Sequence, residues 1–261
     1  FSVGIYLMSN LTDLISAGGG VVLETIFIGV SQTWTPPVDG TARIHVIGGG
    51  ASGRSSASVT DSGGAGGYAR KDVTLSTGTN WTFVVGAGGV AGHNTTSTAG
   101  GQSTASDGSF TMAGNGAGTN RAGGTAYGGN VNYTGGQGSN GPRAGGGAVS
   151  LLSSGSGDAS YGQSGGASAT PNAGGFQILG LGQITGGRGG AVGGESGQIF
   201  AGGGMGYGGG SNGYEGGYSY GGNGGTGAGG GGTFNNQDAT DWRQGGNGGD
   251  GIIIIQYLTV S

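Results

Sequence analysis

Glycine recurs with a period of three over long stretches of this chain. The pattern is clearest in GGRGGAVGG (Gly186–Gly194), GGNGGTG (Gly221–Gly227) and GGNGGDG (Gly245–Gly251). A period of three matches neither the α-helix nor the β-strand, but it matches the extended left-handed helix, which has three residues per turn and no internal hydrogen bonds. Backbone groups in such a helix must find partners on neighbouring segments, which can come close where side chains are missing. The pattern therefore predicts a bundle of glycine-rich extended helices.

A flexible linker is the alternative interpretation, because 76 of the 261 residues are glycine. Ordering a glycine costs about 0.5–1 kcal/mol more than ordering an alanine, and a hydrogen bond returns about 0.5–1.5 kcal/mol. The two terms nearly cancel, so a packed bundle can be stable where a single glycine helix cannot. Linkers also lack apolar patches such as FQILGLGQI (Phe176–Ile184) and ten tyrosines, which favours the bundle. Collagen is excluded because the chain has only four prolines.

Apolar runs with strand character lie near both ends of the sequence. Four consecutive isoleucines in GIIIIQYL (Gly251–Leu258) predict a strand that is covered on both faces and pairs with the earlier strands. We therefore predict a mainly β fold, in which both ends of the chain form a small antiparallel β-sandwich body that carries an inserted bundle of polyglycine-II-type helices. The β body takes residues 21–113 and 251–261, and the bundle takes residues 114–250. The earlier predicted strands are Val21–Gly29, Ala42–Ile47, Tyr68–Leu75, Trp81–Gly86 and Ser109–Gly114.

Residues 1–20 form a separate segment with a short amphipathic pattern. Leu11, Leu14 and Ile15 fall on one face of a predicted two-turn helix within Met8–Gly20. A helix of this length is too short to be stable alone, so it is expected to dock against a partner or a second copy. We interpret this segment as an attachment segment.

The stretch ARIHVIGGGASGRSS contains the pattern G-x-G-x-x-G at Gly48–Gly53, which is the fingerprint of dinucleotide-binding folds. At this glycine content, the pattern arises about six times by chance. A dinucleotide fold also needs a helix directly after the glycines and an acidic residue at the end of the next apolar strand. The residues that follow Gly53 have no helical period, so we interpret the stretch as a strand that runs into a loop.

No catalytic or metal-binding constellation stands out. The twelve acidic residues are dispersed, the two histidines are far apart, and cysteine is absent, so we expect no enzyme, no bound metal and no cofactor. The net charge of −4 and the scattered basic residues give no footprint for nucleic acid. No apolar stretch approaches the 18 residues needed for a transmembrane helix, so membrane insertion is not expected.

Several stretches together resemble a known family. TWTPPVDGTARIHVIGGG (Thr33–Gly50), GGAGGYARKDVTL, WTFVVGAGG (Trp81–Gly89) and the closing GGNGGDGIIIIQYL are similar to the glycine-rich tip proteins of bacteriophage tail fibres, including the distal adhesins of T-even-type long tail fibres. The resemblance implies stacked polyglycine helices whose loops bind the host surface. It also implies a location on the virion, a fibre or other virion protein as partner, and a homotrimer. The sequence lacks a Trp-rich attachment domain at its start, so the resemblance does not extend to how a fibre is joined.

Tyrosine and apolar residues between the glycine runs are the candidate receptor-binding residues. Tyrosine, serine, glycine and asparagine dominate antibody binding loops, where tyrosine provides large contact area at low entropic cost. We predict binding to a host cell-surface glycan or outer-membrane protein, with a purely structural subunit of a virion fibre, capsid decoration or extracellular filament as the alternative. The candidates are Tyr127, Tyr133, Leu151, Tyr161, Phe176, Tyr214, Tyr218 and Tyr220.

Overall fold

Fourteen β-strands and no helix make up the regular structure of the described residues. The computed structural model describes residues 24–54, 61–92, 96–138, 176–178, 182–184, 218–220, 223–231 and 242–260. The prediction of a mainly β protein is confirmed. The strands are β1 Glu24–Ile28, β2 Gln32–Trp34, β3 Gly40–Ile47, β4 Tyr68–Leu75, β5 Trp81–Val84, β6 Ser103–Ser106, β7 Thr111–Gly114, β8 Ala126–Tyr127, β9 Val131–Tyr133, β10 Phe176–Ile178, β11 Gly182–Ile184, β12 Tyr218–Tyr220, β13 Trp242–Gln244 and β14 Ile252–Val260.

Two five-stranded sheets, each antiparallel throughout, form the body of the fold. The first sheet has the order β1-β14-β3-β4-β9, and the second has the order β2-β5-β6-β7-β8. Strand β14 pairs with β1 on one side and with β3 on the other. The prediction that strands from both ends of the sequence build one antiparallel body is therefore confirmed. Two further pairs, β10 with β11 and β12 with β13, stand apart from these sheets.

The hydrophobic core lies between the two sheets. Strand β5 alternates buried and exposed residues, so that Trp81 and Phe83 point inward while Thr82 and Val84 face solvent. Their rings stack with a centroid separation of 6.0 Å, and they belong to one buried cluster with Ile44 and Ile255 from the first sheet. Burial of such side chains contributes about 1.5–3 kcal/mol each, so this core is a main source of stability for the body.

The first sheet is also covered on its other face. Ile253 and Ile255 face the core, whereas Ile254 lies opposite His45 on the outer face, yet Ile254 is fully buried as well. The prediction that the run of isoleucines forms a strand covered on both faces is confirmed.

Four strands of the two sheets were not predicted from the sequence. These are β2, β6, β8 and β9, which are two to four residues long and mostly polar or small. Two of them, β8 and β9, come from the range 114–250 and join the second and the first sheet, respectively. The predicted strand Ser109–Gly114 begins only at Thr111, because Asp107 and Gly108 form a turn in which Gly108 has a φ of 89°. Of the predicted strand Val21–Gly29, the part observed is β1, Glu24–Ile28.

Candidate functional site: a glycine lattice and its free end

Strands at one end of the sandwich continue as glycine-rich segments. Strand β3 runs on into residues 48–53, the chain returns through residues 61–67 into β4, and the hairpins β5–β6 and β7–β8 are extended in the same way. We call the set of these segments the glycine lattice. It consists of residues 48–53, 61–67, 86–92, 96–101, 115–118, 122–125, 135–138, 223–231 and 245–251.

Backbone hydrogen bonds in the glycine lattice change partner with a period of three. Gly48 and Ala51 donate to one neighbouring segment, at the carbonyls of Gly67 and Gly64, over distances of 3.0 Å. Gly49 and Ser52, also three residues apart, donate to the carbonyls of Gly101 and Thr98 on a second segment. Gly50 and Gly53 donate in the same way to Gly249 and Gly246 on a third segment.

Carbonyl groups of residues 48–53 accept hydrogen bonds from three further segments. The donors are Ala117, Gly89 and Gly230, at 2.8–3.0 Å. Residues 48–53 therefore contact six neighbours, three through their N–H groups and three through their carbonyls. A strand in a sheet has at most two hydrogen-bonded neighbours, so the chain passes here from a planar to a three-dimensional pattern of hydrogen bonds. These residues are a central rod of the glycine lattice, not the loop that the sequence suggested.

Close packing explains why these positions are glycine. A Cβ atom added at Gly50 would overlap the carbonyl oxygen of Ala228, and one added at Gly116 would overlap that of Gly100. Backbone conformation requires glycine only at Gly227 within the described part of the glycine lattice, because the other described glycines with a positive φ, Gly108 and Gly128, lie outside it. Positions that do carry a side chain in the interior are mostly alanine. Ala51, Ala65, Ala117 and Ala228 are all essentially fully buried.

Side chains replace the backbone as partners along one side of the glycine lattice. The N–H groups of Gly88 and Ala91, three residues apart, donate to Asp250 Oδ1 at 2.7 Å and to Asn247 Oδ1 at 2.8 Å. The same period of three is kept, with carboxylate and amide oxygens in place of carbonyls.

Replacing Asp250 with alanine is expected to lower the free energy of unfolding by about 1 kcal/mol, because the Gly88 N–H loses its acceptor. Asp250→Asn keeps an acceptor oxygen at that position and serves as the matched control. Chemical denaturation of both variants provides the measurement. Equal losses in the two variants would assign the effect to the charge of Asp250 and contradict the role given to this hydrogen bond.

One end of the glycine lattice faces away from the sandwich. The chain leaves the lattice there at Arg54 and re-enters at Asp61, whose carbonyl accepts a hydrogen bond from the Arg54 N–H at 2.7 Å. We call this region the free end. The return between Gly118 and Ala122 is described completely: its residues 119 and 120 are exposed, and Arg121 has a φ of 65°. Arg121 lies 3.9 Å from the Asp61 carboxylate.

Two of the predicted receptor-binding tyrosines, Tyr127 and Tyr133, lie on strands of the two five-stranded sheets and not at the free end. Tyr127 is on β8, at one edge of the second sheet, and is 47% exposed. Tyr133 is on β9, at one edge of the first sheet, and stacks on Tyr68 with a centroid separation of 6.0 Å. A structural role explains the position of Tyr133, whereas Tyr127 presents its ring to solvent.

The other predicted site residues lie where the structure describes only the backbone, or outside the described residues. Phe176 lies on β10, and Tyr218 and Tyr220 lie on β12, where only the backbone is described. Three predicted receptor-binding residues lie outside the described residues, namely Leu151, Tyr161 and Tyr214. The same is true of the predicted attachment residues Leu11, Leu14 and Ile15.

The pattern G-x-G-x-x-G has a structural explanation. Its N–H groups, which would bind a pyrophosphate in a dinucleotide fold, donate to backbone carbonyls of the glycine lattice. Across the described residues there is no group of three or more histidine, aspartate or glutamate side chains that could hold a metal ion. The same residues contain no helix long and apolar enough to cross a membrane.

Comparison with known proteins places this architecture in a family. The family model described as "Glycine-rich domain" matches residues 27–258, which include the second sheet, the whole glycine lattice and the first sheet except residues 24–26 and 259–260. No curated protein matches the sequence.

Proposed function

The chain belongs to the glycine-rich domain family, and on that premise we propose that it is the receptor-binding tip protein of a bacteriophage tail fibre or similar virion appendage. Its function is to bind, not to catalyse, and its partner is a glycan or an outer-membrane protein on the host surface. The observation that carries the proposal is the arrangement of the glycine lattice, whose described segment ends at Arg54, Asp61 and Arg121 lie together at the free end. The resemblance of Thr33–Gly50 and Trp81–Gly89 to tail-fibre tip proteins supports it.

The glycine lattice suits the display of binding loops. Its interior has little chemical variety, because the backbone groups pair with one another and most side chains are absent. Discrimination between partners must therefore come from the returns, which carry the side chains. Residues 48–53, at about 3.1 Å each, carry the chain roughly 19 Å from the end of β3 to Arg54 at the free end. Substitutions in the returns leave the lattice hydrogen bonds intact, so sequence can vary there without loss of the fold.

We further propose that the lattice segments are polyglycine-II-type helices and that the glycine runs between residues 139 and 222 extend the same bundle. The change of hydrogen-bond partner every three residues in residues 48–53 supports this, since it is the periodicity of that helix. The run Gly186–Gly194 has the composition required to join such a bundle. Residues 1–20, with Leu11, Leu14 and Ile15, attach a homotrimer to the fibre in this proposal.

Blocking the free end is expected to abolish binding of the purified protein to host cells. The sequence has no cysteine, so Asn120→Cys creates a single thiol at the free end that can be coupled to a maleimide-linked polyethylene glycol. Thr77→Cys is the matched control, because Thr77 is an exposed residue in the turn after β4, at the opposite end of the sandwich. Flow cytometry of labelled protein on cells provides the measurement.

The two coupled variants distinguish the proposals. Loss of cell binding only in the protein modified at residue 120 supports recognition through the free end. Equal binding by both modified proteins would contradict it. Failure of the unmodified protein to bind any cell that the virion infects would favour the structural-subunit alternative, in which the lattice serves only as a building element.

A further inference from the structure

We infer that the outer face of the second sheet is a lateral binding site for neutral glycans, separate from the free end. This inference does not depend on a virion location, because it concerns a face of the sandwich that can be tested with the purified chain. It is carried by Tyr127 together with a hydrogen-bonded set of amide and hydroxyl groups beside it.

Strand register aligns the residues of this face into rows. Val84 pairs with Thr104, Thr104 with Ala113, and Ala113 with Tyr127, so one row crosses four of the five strands, from β5 to β8. Residues two positions away along each strand lie on the same face. A neighbouring row toward the opposite end consists of Thr33, Thr82, Ser106 and Thr111.

A third row, toward the glycine lattice, consists of Gln102, Asn115 and Thr125. Hydrogen bonds hold the polar groups of these side chains in place. Gln102 Nε2 donates to Asn115 Oδ1 at 2.6 Å and lies 3.4 Å from the Tyr127 hydroxyl. Asn115 Nδ2 in turn donates to Thr125 Oγ1 at 2.8 Å. Their orientation is therefore set before a ligand arrives, which reduces the entropy lost on binding. Unused lone pairs and amide hydrogens of these groups remain on an exposed face.

The chemistry of the face suits a sugar. One side of a sugar ring presents C–H groups that can pack on an aromatic face, and its edge carries hydroxyls that both donate and accept hydrogen bonds. Tyr127 offers a half-exposed aromatic ring, and Gln102, Asn115 and Thr125 offer amides and a hydroxyl next to it. This combination of an aromatic ring with a few fixed polar groups is typical of small-ligand sites.

Charge and apolar area favour a neutral glycan over other partners. The three rows contain no Asp, Glu, Lys, Arg or His, and the net charge of the chain is −4, which disfavours acidic glycans. A stable protein interface needs about 800 Å² per partner with an apolar centre. The large apolar side chains exposed on this face are Val84 and Tyr127, at opposite ends of their row. The face therefore lacks the apolar centre that a second copy of the chain would need.

The test uses the full chain on an array of immobilised oligosaccharides. Neutral hexose and N-acetylhexosamine oligosaccharides are the probes, and sialylated and uronate-containing oligosaccharides are the charged comparison. We expect binding to neutral probes, at least tenfold weaker in Tyr127→Ala and in Gln102→Ala and nearly unchanged in Tyr127→Phe, which keeps the ring. Val260→Ala is the matched control, because Val260 is exposed at the far end of β14, away from this face.

Three outcomes would overturn the inference. These are absence of binding to every neutral probe, preference for the acidic probes, and unchanged binding in folded Tyr127→Ala and Gln102→Ala. Sedimentation of the same variants adds a fourth: a dimer that dissociates on Tyr127→Ala would assign the face to a second copy of the chain. Thermal unfolding of each variant shows whether it is folded. If Tyr127→Ala does not fold, Gln102→Ala still tests the site. Cell binding through the free end is measured separately, so the two proposals can fail independently.

Discussion

Gly50→Ala is expected to destabilise the protein by at least about 3 kcal/mol, the upper range for overpacking in a protein interior. The new Cβ would overlap the carbonyl group of Ala228, which is backbone and cannot turn away as a side chain would. Separating the two segments to make room would also stretch the hydrogen bonds that Gly50 makes with Gly249 and Gly89. In a chain of this size, the expected fall in melting temperature is about 6–12 °C.

Gly29→Ala is the matched control for that substitution. A Cβ atom at Gly29 would have no heavy atom within 4 Å, and its φ is not positive. Alanine there is expected to leave stability unchanged or to raise it by about 0.4–1 kcal/mol, because it restricts the unfolded chain. The two variants should therefore move the thermal midpoint in opposite directions or by very different amounts. Similar midpoints for both would contradict close packing of the glycine lattice.

Acid is expected to weaken the fold through His45. The imidazole is buried on the outer face of the first sheet, with Nε2 donating to Gln256 Oε1 at 2.9 Å and Nδ1 accepting from the Tyr68 hydroxyl at 2.8 Å. Burial lowers the pKa of His45 to about 4, and the positive charges of Arg70 and Arg43 act in the same direction. In the folded protein His45 is therefore neutral at pH values where an unfolded chain would protonate it.

The sign of the pH effect follows from these two pKa values. Between the unfolded value of 6.5 and the folded value of about 4, the unfolded state binds more protons, so stability falls as the pH falls through this window. A difference of this size corresponds to roughly 3 kcal/mol at its limit. His45→Gln is the control, since a glutamine amide can keep one donor and one acceptor without titrating. Urea unfolding from pH 7 to pH 4 should show a smaller loss in this variant, and an equal loss would contradict the role of His45.

A second contact of this sheet, the ion pair between Asp72 and Arg43, also weakens in acid. Asp72 Oδ1 lies 2.7 Å from Arg43 Nε, and this contact lowers the pKa of the carboxyl group. Protonating Asp72 also costs stability as the pH falls, but below the ordinary carboxyl pKa. Because His45→Gln keeps the Arg43 contact, which is the main cause of this contribution, the difference between the two curves above the ordinary carboxyl pKa reports the imidazole.

The β body could be predicted where a strand is rich in β-branched and aromatic residues or apolar throughout. Tyr68–Leu75 is predicted with the limits that β4 has, because it contains such residues and is followed by the turn sequence STGTN. Strand β6 was missed, since Ser103 and Ala105 face inward as small residues and leave no hydrophobic period. Short strands of this kind form because their neighbours β5 and β7 hold them in register, and that information is not local.

The period of three predicts that some segments pack as a glycine lattice, but it does not identify all the residues that belong to it. A period of three is visible in Gly245–Gly251, whereas Gly48–Gly53 is followed by residues with no further period and was interpreted as a loop. The partners of Gly48–Gly53 lie between 13 and 199 positions away in the sequence, so no local pattern could identify them. For the candidate site, the sequence singled out Tyr127 but not Gln102, Asn115 and Thr125, which only the strand register brings beside it.

The central rod of residues 48–53 has a consequence for the order of events during biosynthesis. Two of the six N–H groups of this rod donate to Gly249 and Gly246, which the ribosome adds about 200 residues after the rod itself. The strand that follows those glycines, β14, is also the one inserted between β1 and β3. Both the sheet and the rod therefore stay incomplete until residues 246–260 emerge. Contacts of such high sequence separation slow folding, and until β14 arrives its two neighbours expose unpaired edges to other nascent chains.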